Sequence, residues 1–240
     1  MRAEFFHAAV AALAAATAAA QAPAASTPTL EQSLTVEVER FAAADRVLPP
    51  GHCQVLFVGS SSIANWRETL AGDMAPMPVI NRGIGDAQIE FVDYWFDRIV
   101  APYRPRAIVF YAGENDLNIG KPVEQVITAF DTFMELKQKA LGATPVYFIS
   151  VKPSKQRYAQ FPLQSEVNSA IRRRAAERND LYFIDVVPLM LDGGKPREIF
   201  LPDGLHMNRD GYRLWTQAVR AALMPNTEAE ARACRQGEKP

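Results

Sequence analysis

The sequence predicts an α/β sandwich built on a doubly wound parallel sheet. Three observations lead there. Five short runs are almost continuously apolar, as strands buried on both faces must be. Segments with apolar residues at helical spacing separate them, which is the alternation of βαβ units. The chain has 240 residues, 48% hydrophobic and 22% charged, enough for one substantial core without metals or disulfides.

Residues 1–24 read as a signal peptide. Arg2 gives a positive start, and the Ala-rich stretch 8–20 has the length of a signal h-region but not of a membrane span. Ala20-Gln21-Ala22 offers a small-x-small cleavage site. No cysteine lies near it, so no lipid anchor is expected and the protein is expected to be periplasmic or secreted. An N-terminal linker and helix (25–49) then lead to a single domain (50–225) and a C-terminal tail (226–240). Export would place Cys53 and Cys234 in an oxidising compartment, where they can pair; the pairing itself stays open.

The first apolar run is 54–58 (QVLFV), followed by 78–81, 107–111, 145–151 and 181–186. Helical patterns fill the gaps. Segment 88–100 carries Ile89, Val92, Trp95, Phe96 and Ile99, and 123–141 carries Val126, Ile127, Phe130, Phe133 and Leu136. Segments 164–178 and 212–223 follow the same rule. The run Arg172-Arg173-Arg174 reads as a solvated helix face. With 26 basic against 27 acidic residues there is no basic excess to suggest nucleic acid.

Open α/β sheets bind ligands beyond the carboxyl ends of their strands. Four polar blocks fall there. Gly59-Ser60-Ser61-Ser62 follows the first run and Asn81-Arg82-Gly83-Ile84-Gly85-Asp86 the second. Gly113-Glu114-Asn115-Asp116 follows the third, and Asp203-Gly204-Leu205-His206 lies beyond the fifth. Acyl transfer needs these residue types. A serine hydroxyl needs a base, a histidine base needs a carboxylate to orient it, and the oxyanion needs N–H donors. Each block alone is an ordinary turn or helix cap; their joint order is what carries the inference. The Gly-x-Gly loop lacks the third glycine of a dinucleotide fingerprint, since Gln88 stands there.

The rare residues narrow the choice of base. There are three histidines. His7 would leave with the signal peptide, and His52 precedes the first strand, on the wrong edge of the sheet. His206 remains. Three histidines, two cysteines and no Cys-x-x-Cys or His-Glu-x-x-His argue against a usual zinc site; a carboxylate-only Mg²⁺ or Ca²⁺ site stays open, though there is no EF-hand loop, and no metal is expected.

The four blocks resemble those of the SGNH hydrolase superfamily, the GDSL esterase/lipase family, over about residues 50–225. That resemblance implies a flavodoxin-like, three-layer α/β/α sandwich with a five-stranded parallel sheet. It implies a serine esterase acting on a small-molecule ester without any cofactor. Ser61 matches the nucleophile, in a Gly-Ser-Ser-Ser variant of the usual Gly-Asp-Ser-(Leu/Ile) block. Asn115 matches the oxyanion donor of Gly-x-Asn-Asp, and Asp203 with His206 match the Asp-x-x-His pair. The second block departs from Asn-x-Gly-x-Gly-Gly: Asp86 stands where the last glycine is usual, so either Gly85 or Asp86 supplies the backbone donor. An α/β-hydrolase elbow, Gly-x-Ser-x-Gly, is not present because Ile63 replaces its last glycine. Segment 152–161, after the fourth run, is expected to line the site. With no long apolar lid, short-chain or sugar-borne esters are favoured over triglycerides. Two rival readings are a non-catalytic binding relative and a phosphate binder using the Ser60–Ser62 turn; the oligomeric state is left open.

Overall fold

The computed structural model describes residues 30–237; the expected signal peptide lies outside the described residues. The chain runs through α1 (Leu30–Val47), β1 (Val55–Gly59), α2 (Ser61–Ala64), α3 (Arg67–Met74), β2 (Val79–Gly83), α4 (Ile89–Tyr94) and α5 (Phe96–Ile99). It continues through β3 (Ala107–Tyr111), α6 (Glu114–Asn118), α7 (Val123–Leu141), β4 (Val146–Ile149), α8 (Phe161–Glu177), β5 (Leu181–Ile184) and α9 (Val187–Met190). A two-residue ribbon, β6 (Leu191–Asp192) and β7 (Lys195–Pro196), precedes α10 (Arg209–Leu223) and α11 (Thr227–Gly237).

The five long strands form one parallel sheet in the order β2-β1-β3-β4-β5. This is the expected five-stranded α/β/α sandwich. Alternation along each strand sends side chains to two separate cores. Leu56, Val58, Ile108, Phe110, Val146 and Phe148 face α1, α4, α5, α7 and α8. Val55, Phe57, Val109, Tyr111, Tyr147 and Ile149 face α2, α3, α9 and α10. Rings fill both layers: Phe110 packs edge-on against Phe130, and Trp66 does the same with Trp215. Burying each such side chain contributes about 1.5–3 kcal/mol.

The boundaries differ from the sequence expectation in physically readable ways. The helix expected over 88–100 is two short helices broken at Trp95, whose backbone leaves helical geometry at φ −97°, ψ 10°. Helix α8 starts at Phe161 because Pro162 is tolerated in a first turn. Helix α10 starts at Arg209, where the Asn208 side chain accepts the Asp210 and Gly211 N–H groups. Helix α3 lies in a stretch with no strong periodicity and buries Leu70 and Met74.

Within the C-terminal tail, α11 is helical and docked. A disulfide joins Cys53, before β1, to Cys234 on α11. Tyr147 donates to Glu230 at 2.6 Å and receives the Asn226 amide at 3.0 Å. Arg106 lies 3.5 Å from the other Glu230 oxygen. These ties hold α11 at the amino edge of the sheet, opposite the edge where β1 and β3 end.

Candidate active site

The sheet order reverses between β1 and β3, and a crevice at such a switch point is where α/β sheets place ligands. Gly59 ends β1 at φ +137°, and a Cβ there would stand 1.8 Å from the Tyr111 carbonyl oxygen of β3. No side chain fits, so glycine lets the two strand ends close. The Ser60 N–H then donates to that carbonyl at 2.9 Å, and the chain turns into α2 with Ser61 as its first residue. Buried Ser62 and Ile63 pin the short helix, and Tyr212 of α10 donates to the Ser62 carbonyl at 3.0 Å. Ser61 is thereby held half-exposed at the crevice, with its N–H among the helix-start donors that have no intrahelical partner.

The loop before α10 brings a histidine to it. One carboxylate oxygen of Asp203 accepts the N–H groups of Leu205 and His206, each at 2.9 Å. The other lies 2.7 Å from His206 Nδ1. The carboxylate takes the Nδ1 proton as its donor, leaving Nε2 to accept, and Nε2 is 3.1 Å from Ser61 Oγ. Backbone bonds brace the turn: Leu201 N–H to the His206 carbonyl at 2.7 Å and Asn208 N–H to Ile199 at 2.9 Å. Burial pushes the Asp203 carboxyl up, but the His206 ring and the two N–H donors outweigh it and hold the group at about 2. Asp203 therefore stays ionised, and fixes the ring, throughout the neutral range.

Asn115 is buried on α6, which follows β3 at the same carboxyl edge of the sheet that Ser61 follows on β1. Its Nδ2 donates to the Ala87 carbonyl at 3.1 Å, and its Oδ1 accepts from Arg157 at 2.9 Å. Asp116 accepts the Ile89 N–H at 3.2 Å, clamping the start of α4 to α6. Two contacts thus set the loop of the second block against Asn115. In that loop Asp86 adopts φ +55°, the left-handed region that glycine usually fills, and its side chain is exposed. At Gly85 an added Cβ would meet nothing within 4 Å. The backbone thus departs from ordinary L-residue geometry at Asp86, the position where the family pattern has glycine.

The structure therefore brings Ser61, His206 and Asp203 into one hydrogen-bonded line and sets the 85–86 turn beside Asn115. His52 lies before β1, at the opposite edge. Among the described residues no group of three or more His, Cys, Asp or Glu side chains is disposed to hold a metal ion. Sequence reasoning missed what lies behind Asn115. Glu114 accepts from Tyr111 at 2.8 Å, Lys152 at 2.5 Å and Ser154 at 3.1 Å, all buried. Sequence reasoning put Arg157 in a segment expected to line the site, as a solvated cation or one favouring a polar or anionic substrate, and gave it no partner there. Charged residues beside a loop read as solvated from sequence, and only their burial distinguishes them.

A family model matches residues 51–214, that of the GDSL-like lipase/acylhydrolase family. The chain belongs to that family. Its members' hydrolase activity is therefore the general activity expected of this chain. Solved structures share the fold. A GDSL-like lipase from Bacteroides thetaiotaomicron is 20% identical with a TM-score of 0.67, covering 78% of this chain and 97% of that one. A carbohydrate esterase family 3 protein from Talaromyces cellulolyticus is 15% identical with a TM-score of 0.58, covering 74% and 99%. A mutant acetyl esterase with acetate ion is 16% identical with a TM-score of 0.59, covering 74% and 99%. No curated protein matches the sequence. Among the described residues no helix is long and apolar enough to cross a membrane.

Proposed function

We propose that this GDSL-family hydrolase is an exported serine esterase that cleaves short-chain or sugar-borne carboxylic esters through an acyl-enzyme on Ser61. The observation that carries the reading is the unbroken line Asp203–His206–Ser61, with separations of 2.7 and 3.1 Å. Family membership and the esterase relatives, one crystallised with acetate, support a small acyl group. The Cys53–Cys234 disulfide supports a periplasmic or secreted location.

In this mechanism His206 Nε2 takes the Ser61 proton as Oγ attacks the ester carbonyl. The developing oxyanion meets the Ser61 N–H, one N–H of the Asn115 amide and a backbone N–H of the 85–86 turn. The imidazolium, held by Asp203, then protonates the leaving alcohol, and the acyl group remains on Ser61. Neutral His206 next deprotonates a water, which attacks the acyl carbon. Collapse returns the proton to Ser61 and releases the acid. No metal or organic cofactor enters the scheme.

The test is hydrolysis of p-nitrophenyl esters of increasing chain length and of acetylated sugars, with fluorophosphonate labelling. The expected result is turnover of acetyl esters and a covalent adduct at Ser61, both lost in Ser61→Ala. Full activity in Ser61→Ala would overturn the nucleophile. An unlabelled, inactive wild type would favour a binding module instead. Mass spectrometry of the exported protein's N-terminus tests the location.

A further inference from the structure

The segment between β4 and α8 touches both sides of the crevice. Its Gln156 N–H donates to the Gly204 carbonyl at 2.9 Å, inside the Asp203–His206 turn. Ser154 bonds Glu114, and its hydroxyl also receives the Arg157 N–H at 3.3 Å. From this braced backbone Arg157, half-buried, reaches across to Asn115 Oδ1 at 2.9 Å.

The chemistry of the two groups that grip Asn115 determines how its amide sits. A guanidinium has donors only, so it can take only the oxygen end. The Ala87 carbonyl is an acceptor only, so it can take only the nitrogen end. A flipped amide would face donor with donor and acceptor with acceptor. It would also turn a lone pair, in place of an N–H, toward the acyl oxygen. With one N–H bound to Ala87, the amide has a second N–H to offer. A cationic donor on Oδ1 also draws electron density from the amide and makes that N–H a stronger donor.

We propose that Arg157 is the positioning residue of the oxyanion hole, holding and polarising Asn115 so that its second N–H faces the acyl oxygen. This rests on the esterase reading of the site. Arg157 acts through Asn115, so its contribution is made when charge develops and appears in kcat rather than in KM.

The test is a double-mutant cycle on p-nitrophenyl acetate with wild type, Arg157→Ala, Asn115→Ala and the double variant, alongside Arg157→Lys. Arg157→Ala should lower kcat about 10- to 100-fold with KM within about threefold. Arg157→Lys should recover part of the loss, since an ammonium still donates to Oδ1. In the Asn115→Ala background the same change should cost no more than about threefold, because its target is gone. A merely structural role would add equally in both backgrounds, and that result overturns the proposal, as does a kcat within twofold of wild type. If Arg157→Ala does not fold, Arg157→Lys and Arg157→Gln are run through the same cycle and read by the same criterion. An active wild type with an additive cycle overturns Arg157 alone. A wild type that neither turns over esters nor takes the fluorophosphonate overturns the esterase reading, and the role of Arg157 with it.

Discussion

Lys152 meets Glu114 at 2.5 Å with the two side chains only 1% and 5% exposed, directly behind the residue that carries the Asn115 amide. A buried pair of this kind contributes little net stability, because desolvation offsets attraction. Breaking it is another matter. Lys152→Met would leave Glu114 charged and shut off from water, and is expected to cost about 3–5 kcal/mol in urea unfolding. Glu114→Met combined with Lys152→Met should recover much of that loss. A single variant within about 1 kcal/mol of wild type would show that water reaches the site.

On the proposed mechanism, His206→Ala should lower kcat/KM at least about 10³-fold with the fold intact, because no described histidine other than the distant His52 exists to replace it. Asp203→Asn should lower kcat by about 10³- to 10⁴-fold, since an amide can hold the wrong tautomer. Asp203 is held at about 2, so its own titration should appear only near that pH. Carboxyl-carbon NMR of the labelled protein checks this, and a midpoint near the ordinary carboxylate value would contradict the hydrogen bonding described.

Asp93 on α4 has a buried carboxylate oxygen without a hydrogen-bond partner. Burial, then repulsion from Glu90 and Asp116, pushes this carboxyl up to about 8 against the attraction of Lys121. A raised folded value means the stability it permits is complete below the unfolded value of 3.8 and is lost as pH rises through about 8. Asp93→Asn abolishes that titration. Relative to wild type it should gain up to about 5 kcal/mol between about pH 4 and about pH 8.5, read by urea unfolding at both pH values. Parallel pH dependences would refute the burial argument.

Asp86→Gly should relieve the left-handed backbone at this turn, adding up to about 1 kcal/mol of stability. It also removes a carboxylate from the loop expected to face the oxyanion, so kcat should rise by a few-fold. Thermal unfolding and p-nitrophenyl acetate kinetics read the two effects separately. A fall in both would mean the Asp86 side chain supports the turn.

The sheet and the polar blocks were legible because each strand is a short apolar run, and chemistry follows its carboxyl end. Ser61, Asn115, Asp203 and His206 all fall after such runs. Other features were hidden for physical reasons. Helix α3 presents mainly Leu70 and Met74 to the core, too sparse a stripe to read as a period. The break at Trp95 does not interrupt the apolar spacing on either side of it. Lys152 and Glu114 are residue types that usually face water, so nothing local marks them as buried. The Cys53–Cys234 bond depends on the docking of α11, which is a property of the folded chain.

That bond turns most of the polypeptide into a covalent ring, since its two cysteines are 181 positions apart. A protease that cuts one surface loop inside the ring opens it without releasing a fragment. Such a nicked molecule should migrate as two pieces only after reduction. The closure also sits at the sheet edge opposite Ser61, so the clasp and the proposed active site lie at opposite edges of the sheet. Attachment to a support through α11 would thus leave the Ser61 edge facing away from it.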